Sequence, residues 1–313
     1  MPARWQPLDE LRGASMLLLV LVGPLLLFPS TPAWLTHASG EGLYFADLGV
    51  PMFLFALGLS YPLSFERRVA AAGLIQTTLG FLRRYSLLLV LGLLGEAARY
   101  QDLSFSYWGM LELIGTAGII TFPLMFLGPG TRVGIGFLCL ACWQQALAEE
   151  YRETVIAFDL GGPLAVSGWI CIVLVGTAIS QWRESISRKA LYGLLACATV
   201  AGLLGAWGLG ALIPIDKHLV SAPYVLTGIG CSAGALLVFA WLDAWGYASR
   251  TCISFGRNSI LLYIAAGFET LLIMQCVPVE LPFGYVLLLA LSAYIPCHIL
   301  ARALDRKGIY LRI

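Results

Sequence analysis

The stretch ADLGVPMFLFALGLSYPLSFERR, residues 46–68, decides the fold of this chain. Residues 48–65 carry no charged side chain, and Glu66 and two arginines follow them directly. A membrane-spanning helix needs about 20 mostly apolar residues, because the hydrocarbon core of a bilayer is about 30 Å thick. We therefore predict that this stretch crosses a membrane as a helix and ends at a basic, water-exposed edge.

The composition of the whole chain agrees with this reading. Of its 313 residues, 59% are hydrophobic and 12% are charged, and the mean hydropathy is +0.84. Soluble domains carry about 25% charged residues, so an ordinary soluble protein is excluded. The net charge of +1 gives no reason to expect a nucleic acid partner. Ten apolar spans are predicted, at residues 11–28, 46–65, 83–98, 110–127, 133–148, 164–182, 190–207, 223–242, 260–275 and 283–300.

The basic residues indicate the orientation, because short cytoplasmic loops collect Lys and Arg. With the N-terminus inside and ten spans, only Arg99, Arg152 and Lys217 of the nineteen Lys and Arg residues lie outside. Residues 69–82 are moderately apolar and are predicted as an interfacial or re-entrant helix, which leaves a count of eleven open. We predict an all-α, polytopic membrane helix bundle that forms a single domain over residues 1–313, with both termini cytoplasmic.

The eight cysteines point to packing rather than to chemistry. Cys139 and Cys142 form a CxxC pair inside an apolar span, with no second pair and no neighbouring His. We interpret them as small residues between helices and predict no metal site. The expected location is the inner membrane of a bacterium, with membrane lipid as a neighbour. The sequence leaves open whether the chain is a monomer or a homo-oligomer.

A histidine on the outside is the first candidate for catalysis. His37 lies in the first outside loop and Asp47 follows it at the start of the second span. Histidine can act as a base near neutral pH, and a carboxylate can orient its ring. The alternative is a solvated loop His with an Asp that complements a helix dipole.

Other polar residues divide between the two sides. On the outside, Glu41, Asp216 and Lys217 are predicted to bind a hydrophilic substrate, with ordinary solvated loops as the alternative. On the cytoplasmic side, arginines at helix ends suit the phosphates of a coenzyme, because the guanidinium binds oxyanions in a bidentate manner. Snorkelling at the interface is their alternative role. The cytoplasmic candidates are Arg12, Arg84, Arg257 and Asn258.

Several motifs together resemble one family. LDELRG at residues 8–13 is similar to the LDxxRG opening of transmembrane acyltransferases. HASGEGLYFADLGVPMFLF at residues 37–55 resembles the pattern HAxWNGLTxADLVxPxFxF of the heparan-alpha-glucosaminide N-acetyltransferase family. Further agreements follow in order over essentially the whole chain, at Arg84, Gly109-Met110-Leu111, Phe158-Asp159 with Gly162, Pro214-Ile215-Asp216-Lys217, and Gly256-Arg257-Asn258-Ser259 with Tyr263.

The resemblance implies a transfer of an acetyl group across the membrane. In that family cytoplasmic acetyl-CoA is the co-substrate and a sugar amine on the other side is the acceptor. The family's active-site histidine falls on His37 and its ADL aspartate on Asp47. The chain departs from the pattern at Gly40-Glu41, at Gly23 and at residues 265–267, so a heparan-type acceptor is not implied.

We therefore expect an acetyl-CoA-dependent acyltransferase that modifies an extracytoplasmic sugar or glycan. The rival is a transporter or flippase that uses intramembrane charges such as Glu112 and Glu269. A non-catalytic membrane partner is a third reading. The acceptor and the length of the acyl group do not follow from the sequence.

Overall fold

The computed structural model describes residues 5–100, 108–149, 151–156 and 158–310. Within them the chain forms eleven α-helices, and its only β pairing is an isolated bridge. The helices are α1 (Gln6–Leu25), α2 (Gly49–Tyr100), α3 (Met110–Leu124), α4 (Pro129–Glu149), α5 (Arg152–Ile156), α6 (Val166–Ser185), α7 (Arg188–Gly210), α8 (Ala222–Ala244), α9 (Arg250–Arg257), α10 (Ser259–Cys276) and α11 (Phe283–Lys307). The predicted all-α fold is confirmed.

The lengths of the helices suit a multi-pass membrane protein. Each of the ten predicted spans overlaps one of these helices. Met110–Leu124 is apolar but shorter than a full span. Within the described residues, the helices long and apolar enough to cross a membrane are Phe45–Ala98, Arg188–Gly210, Ala222–Ala244, Ser259–Cys276 and Phe283–Lys307. Arg4 and Arg312, which were counted for the orientation, lie outside the described residues.

Helix α2 is a hairpin of two helices rather than one long rod. Gly73, near its middle, has φ 78° and ψ 171°, a backbone conformation open almost only to glycine. Tyr61 stacks on Tyr85 with ring centroids 5.5 Å apart, and Phe65 contacts the edge of Phe81 at 6.1 Å. The two halves therefore run antiparallel, with Gly73 at the tip.

This hairpin corrects the expectation for residues 69–82. They form no separate interfacial or re-entrant helix, because they are the ends of the two halves that meet at Gly73. Near the tip, the hydroxyl of Thr77 donates to the carbonyl of Gly73 at 2.8 Å. The second and third predicted spans are therefore joined without an intervening loop.

The residues group into two compact units, each assembled from separated segments. Unit 1 comprises Met1–Ser39, Leu43–Phe53 and Gly234–Ile313, and unit 2 comprises Gly40–Gly42 and Leu54–Ala233. Unit 1 contains α1, α9, α10 and α11, and unit 2 contains α3 to α7. The single domain over residues 1–313 stays a prediction.

In unit 1, helices α1 and α9 cross at two glycines. A Cβ atom on Gly13 would lie 1.8 Å from the carbonyl oxygen of Cys252, and one on Gly256 would lie 1.9 Å from that of Asp9. Small residues of this kind let helix backbones approach closely in membranes, where dispersion and hydrogen bonds replace the hydrophobic effect. The glycine of the LDxxRG motif is therefore explained by packing.

In unit 2, helices α4 and α6 make a similar contact. Gly136 lies against the backbone of Cys171, and Gly168 leaves room for the indole of Trp143. That indole donates to the carbonyl oxygens of Leu219 at 3.1 Å and Val220 at 3.2 Å. The α4–α6 pair therefore also holds the turn that precedes α8.

The crossing of α1 and α9 can be tested by adding one methyl group. We expect Gly13→Ala to cost about 1–3 kcal/mol of stability, because the new Cβ meets backbone that cannot rotate away. The matched control is Gly267→Ala in α10, where nothing lies within 4 Å of the new atom. The thermal midpoint of the purified protein in detergent should fall for the first variant only. Equal midpoints would contradict the assignment of Gly13 to packing.

Candidate functional site

The structure brings His37 and Asp47 into direct contact in unit 1. The Nδ1 atom of His37 lies 2.8 Å from Oδ1 of Asp47. The Asp47 side chain is fully buried, whereas 34% of the His37 side chain is exposed. The pair therefore combines a carboxylate that is shielded from solvent with an imidazole ring that is partly accessible to solvent.

The backbone around the loop holds Asp47 in place. The 3-10 helix Phe45–Leu48 carries it, and its Oδ2 accepts from the backbone N–H groups of Tyr44 at 2.8 Å and Ala38 at 3.3 Å. A carboxylate with several N–H donors is stabilised in its ionised form. Sequence reasoning placed Asp47 near His37 but missed these two backbone donors, which carry no side-chain signal.

This arrangement selects one tautomer of the imidazole. An ionised carboxylate only accepts hydrogen bonds, so at 2.8 Å the Nδ1 atom of His37 must carry the proton. Among the described residues Nε2 has no hydrogen-bond partner. The free nitrogen can then accept a proton from a bound molecule, as in a Ser-His-Asp triad.

The loop before α8, which the sequence predicts to lie outside, is ordered by its own side chains in unit 2. Asp216 is buried, and its Oδ1 accepts from the backbone N–H groups of His218 at 2.8 Å and Leu219 at 3.1 Å. Its backbone pairs with Glu41 in an antiparallel bridge, in which Gly42 N–H donates to Ile215 at 2.7 Å. Asp216 therefore stabilises the backbone of this loop, in addition to the substrate binding that the sequence predicts for it.

Glu41 and Lys217 differ in exposure. The Glu41 side chain is exposed and remains available to a ligand. Lys217 is only 7% exposed and has a partner within the protein. A buried ammonium group of this kind is costly unless it is paired, so Lys217 is not the open loop residue that the sequence suggested.

Two of the predicted cytoplasmic arginines form an ion network in unit 1. Arg257 contacts Asp305 at 2.8 Å and Asp9 at 3.5 Å, and Arg12 lies 3.8 Å from Asp9. Burial alone would lower the pKa of Arg257, but the hydrogen bond and charge of Asp305 raise it overall. Sequence reasoning missed Asp305, which lies in the last helix and is remote along the chain.

This network and the His37–Asp47 pair lie at different levels of helix α1. Asp9 is in the first turn, whereas Ala46, the neighbour of Asp47, packs on Leu18 and Val22. Nine to thirteen residues of α-helix separate these levels, which is about 14–20 Å. A ligand that touches both groups must therefore be extended.

Asn258 and Arg84 are placed differently from the other two. Asn258 lies at the junction of α9 and α10 with 2% exposure, and within the described residues its Oδ1 is buried without a hydrogen-bond partner. An unpaired buried acceptor costs about 1–3 kcal/mol, which a bound hydrogen-bond donor would offset. Arg84 belongs to unit 2 and lies inside α2, not at a helix end, with its guanidinium over the ring of Tyr85.

The comparisons with known proteins give two matches. Residues 4–130 match a family model described as a domain of unknown function (DUF5009). The GPI-anchored wall transfer protein 1 of Aspergillus oryzae (strain ATCC 42149 / RIB 40) is 25% identical over an alignment of 365 positions, gaps included. The alignment covers 96% of this chain and 72% of that protein. Neither match carries the name of the heparan-alpha-glucosaminide N-acetyltransferase family, so that resemblance rests on the motifs alone.

The buried acceptor role of Asp47 predicts a loss of order in its loop. We expect Asp47→Ala to destabilise residues 37–47 by about 1.5–3 kcal/mol, because charge-assisted hydrogen bonds are lost. Limited proteolysis should cut the variant faster within this loop. The control is Glu41→Ala, whose side chain is exposed. Unchanged cleavage of the Asp47 variant would show that the carboxylate does not organise the loop.

The ion network predicts a structural cost for removing its central cation. Arg257→Ala deprives the buried carboxylate of Asp9 of a guanidinium at 3.5 Å, and we expect a loss of about 3 kcal/mol. Exposed Arg250, at the other end of α9, gives the matched control Arg250→Ala. Thermal midpoints in detergent measure both. If Arg257→Ala weakens acetyl-CoA binding at unchanged stability, its main partner is the coenzyme instead.

Proposed function

We propose that the chain is a membrane acyltransferase that moves an acetyl group from cytoplasmic acetyl-CoA to a sugar amine or hydroxyl on the extracytoplasmic side of a bacterial inner membrane. The observation that carries the proposal is the contact of His37 with buried Asp47. The geometry supports a general base with one free nitrogen, which is the group that such a transfer requires.

The proposed reaction needs only the acceptor, the thioester and this base. His37 Nε2 takes a proton from the acceptor amine or hydroxyl while the acceptor atom attacks the thioester carbonyl. The carbon–sulfur bond then breaks, and the leaving thiolate of CoA takes the proton from the imidazolium. Asp47 stabilises the imidazolium and fixes the ring. A variant of this route passes the acetyl group through His37 itself.

The coenzyme is proposed to reach this base from the level of Arg257. An extended pantetheine arm suits the separation along α1, with the phosphates near Arg12 and Arg257 and an amide N–H of the arm near Asn258 Oδ1. A guanidinium has five donors, so Arg257 can hold its two carboxylates and a phosphate together. The phosphate-binding role of Arg84 stays a prediction from the sequence.

The name of the relative supports the general class of function. The Aspergillus oryzae protein is called a wall transfer protein, and its similarity extends over nearly the whole of this chain. We infer a transferase role in a membrane from it. The acetyl group and the sugar acceptor come from the motif resemblance and from the His37–Asp47 geometry.

One observation favours the rival function of a transporter. Glu112 in α3 is 1% exposed, its carboxylate lies against Gly92 of α2, and its Oε1 has no hydrogen-bond partner within the described residues. Intramembrane carboxylates of this kind mark substrate or proton pathways in transporters. Uptake of a sugar without consumption of acetyl-CoA would favour this function.

Removal of the base tests the leading proposal. We expect His37→Ala to lower acetyl transfer from acetyl-CoA by about 10²–10⁴-fold, the usual contribution of a general base, without unfolding the protein. The matched control is His298→Ala, because His298 lies in α11 and bonds to Tyr294. Radiolabelled acetyl-CoA and purified protein give the measurement, and label retained on the protein would reveal the acetyl-histidine route. Undiminished transfer by His37→Ala would sink the assignment.

A further inference from the structure

The arginine in the first turn of α4, in unit 2, is buried without a carboxylate beside it. Arg132 is 0% exposed, and none of the ion pairs among the described residues includes it. Its Nη2 donates to Gln181 of α6, and its Nη1 donates to the thioether of Met125 at 3.0 Å. Its Nε is buried and has no partner in the described part of the chain. Since a thioether is a weak acceptor, this guanidinium has more donors than strong acceptors.

The N-terminus of the same helix offers further donors. Gly128 precedes α4 and has no side chain that could cap it, and Pro129 has no N–H. The N–H of Arg132 donates to the carbonyl of Gly128 at 3.1 Å. The N–H groups of Gly130 and Thr131 have no acceptor among the described residues. A Cβ atom on Gly130 would meet nothing within 4 Å, so there is space beside these groups.

The side chain of Arg132 runs back towards this end of the helix. Met125, which its guanidinium contacts, is the C-cap residue of α3 and precedes α4 along the chain. Helical side chains lean towards the N-terminus of their own helix, which accounts for this direction. The positive charge and the free N–H groups therefore lie at the same end of α4, where the helix dipole is positive too. Such an end binds anions, and a guanidinium matches phosphate oxygens.

We propose that Arg132 and the N-terminus of α4 bind a phosphate group on the cytoplasmic side of the membrane, the side that the topology predicts for Arg132. Phosphate oxygens accept from Nε of Arg132, from the N–H of Gly130, and from the N–H and hydroxyl of Thr131. The flexible thioether of Met125 gives up its place at Nη1 to one of these oxygens. Snorkelling accounts for exposed arginines at an interface but not for one that is fully buried.

The phosphate is carried by an anionic phospholipid or by a soluble ion, since both present the same oxygens. Phe126, in the turn before α4, is 58% exposed, and an exposed aromatic ring suits the headgroup level of a membrane. The inference goes beyond the proposed acetyl transfer and does not depend on it.

Removal of the charge tests the site. We expect Arg132→Met to raise the Kd for phosphatidylglycerol by about 10–100-fold, because charge-assisted hydrogen bonds are lost. Native mass spectrometry of the full chain in a non-ionic detergent gives the Kd of the first lipid bound. The matched control is Arg188→Met, which should leave this Kd unchanged. Arg188 is exposed in the first turn of α7, and Ser187 already caps that helix.

A comparison of ligands identifies what carries the phosphate. The wild-type protein should bind phosphatidylglycerol at least about fivefold more tightly than phosphatidylcholine with the same acyl chains, because an anionic headgroup gains roughly this factor from one basic residue. Displacement of the lipid by inorganic phosphate supports a site for the free ion, and retention of the lipid supports a lipid site. Equal affinity for the two lipids would overturn the proposal, as would an unchanged Kd in Arg132→Met.

A purely structural role of Arg132 gives a different result. Replacement of a buried, unpaired charge by an apolar side chain is often neutral or stabilising, so the thermal midpoint of Arg132→Met without lipid should not fall. A lower midpoint with an unchanged Kd would refute the phosphate site. If this variant does not fold, Thr131→Val decides, because it removes one hydroxyl donor from an exposed side chain of the same shape. It should raise the Kd by about 3–10-fold, and an unchanged Kd would overturn the site.

Discussion

A buried polar group has no water to bond to and must find its partners within the protein, and this constraint shapes the candidate site. The Asp47 side chain is buried, and it accepts hydrogen bonds from the ring of His37 and from two backbone N–H groups. Asp9 is equally buried and faces two arginines. Within the described residues Asn258 Oδ1 is buried without such a partner, and the proposed function pairs it with a donor of the coenzyme. The balance of buried hydrogen-bond donors and acceptors therefore identifies the candidate site.

Helix α1 connects the two chemical regions of unit 1. Its first turn supplies Asp9 to the arginine network, and its later turns support the loop that carries Asp47. The LDxxRG motif therefore looks structural in each of its three fixed polar or small positions, because Asp9 and Arg12 belong to the ion network and Gly13 to the helix crossing. In the proposed function Arg12 also contacts the phosphates of the coenzyme, whereas Asp9 acts indirectly by holding Arg257.

Local patterns in the sequence predicted the helices and the proximity of His37 to Asp47, because apolar periodicity and short separations act over a few residues. The hairpin of α2 was missed, since nothing in the letters around Gly73 distinguishes a tip from a helix interior. Contacts between remote segments were missed for the same reason, including Asp305 with Arg257 and Trp143 with the loop before α8. Arg84 was expected at a helix end but lies inside α2, because the hairpin joins the second and third spans without a loop.

The hairpin tip at Gly73 also limits how the length of this segment can vary. In a membrane hairpin with a loop, the loop can accommodate an extra residue without turning the helices on either side. Here helix continues on both sides of one glycine, so an inserted residue would turn the second half by about 100° about its axis. Tyr85, which stacks on Tyr61, would then point elsewhere. Insertions and deletions should therefore be tolerated in the loops between other helices long before they are tolerated between the second and third spans.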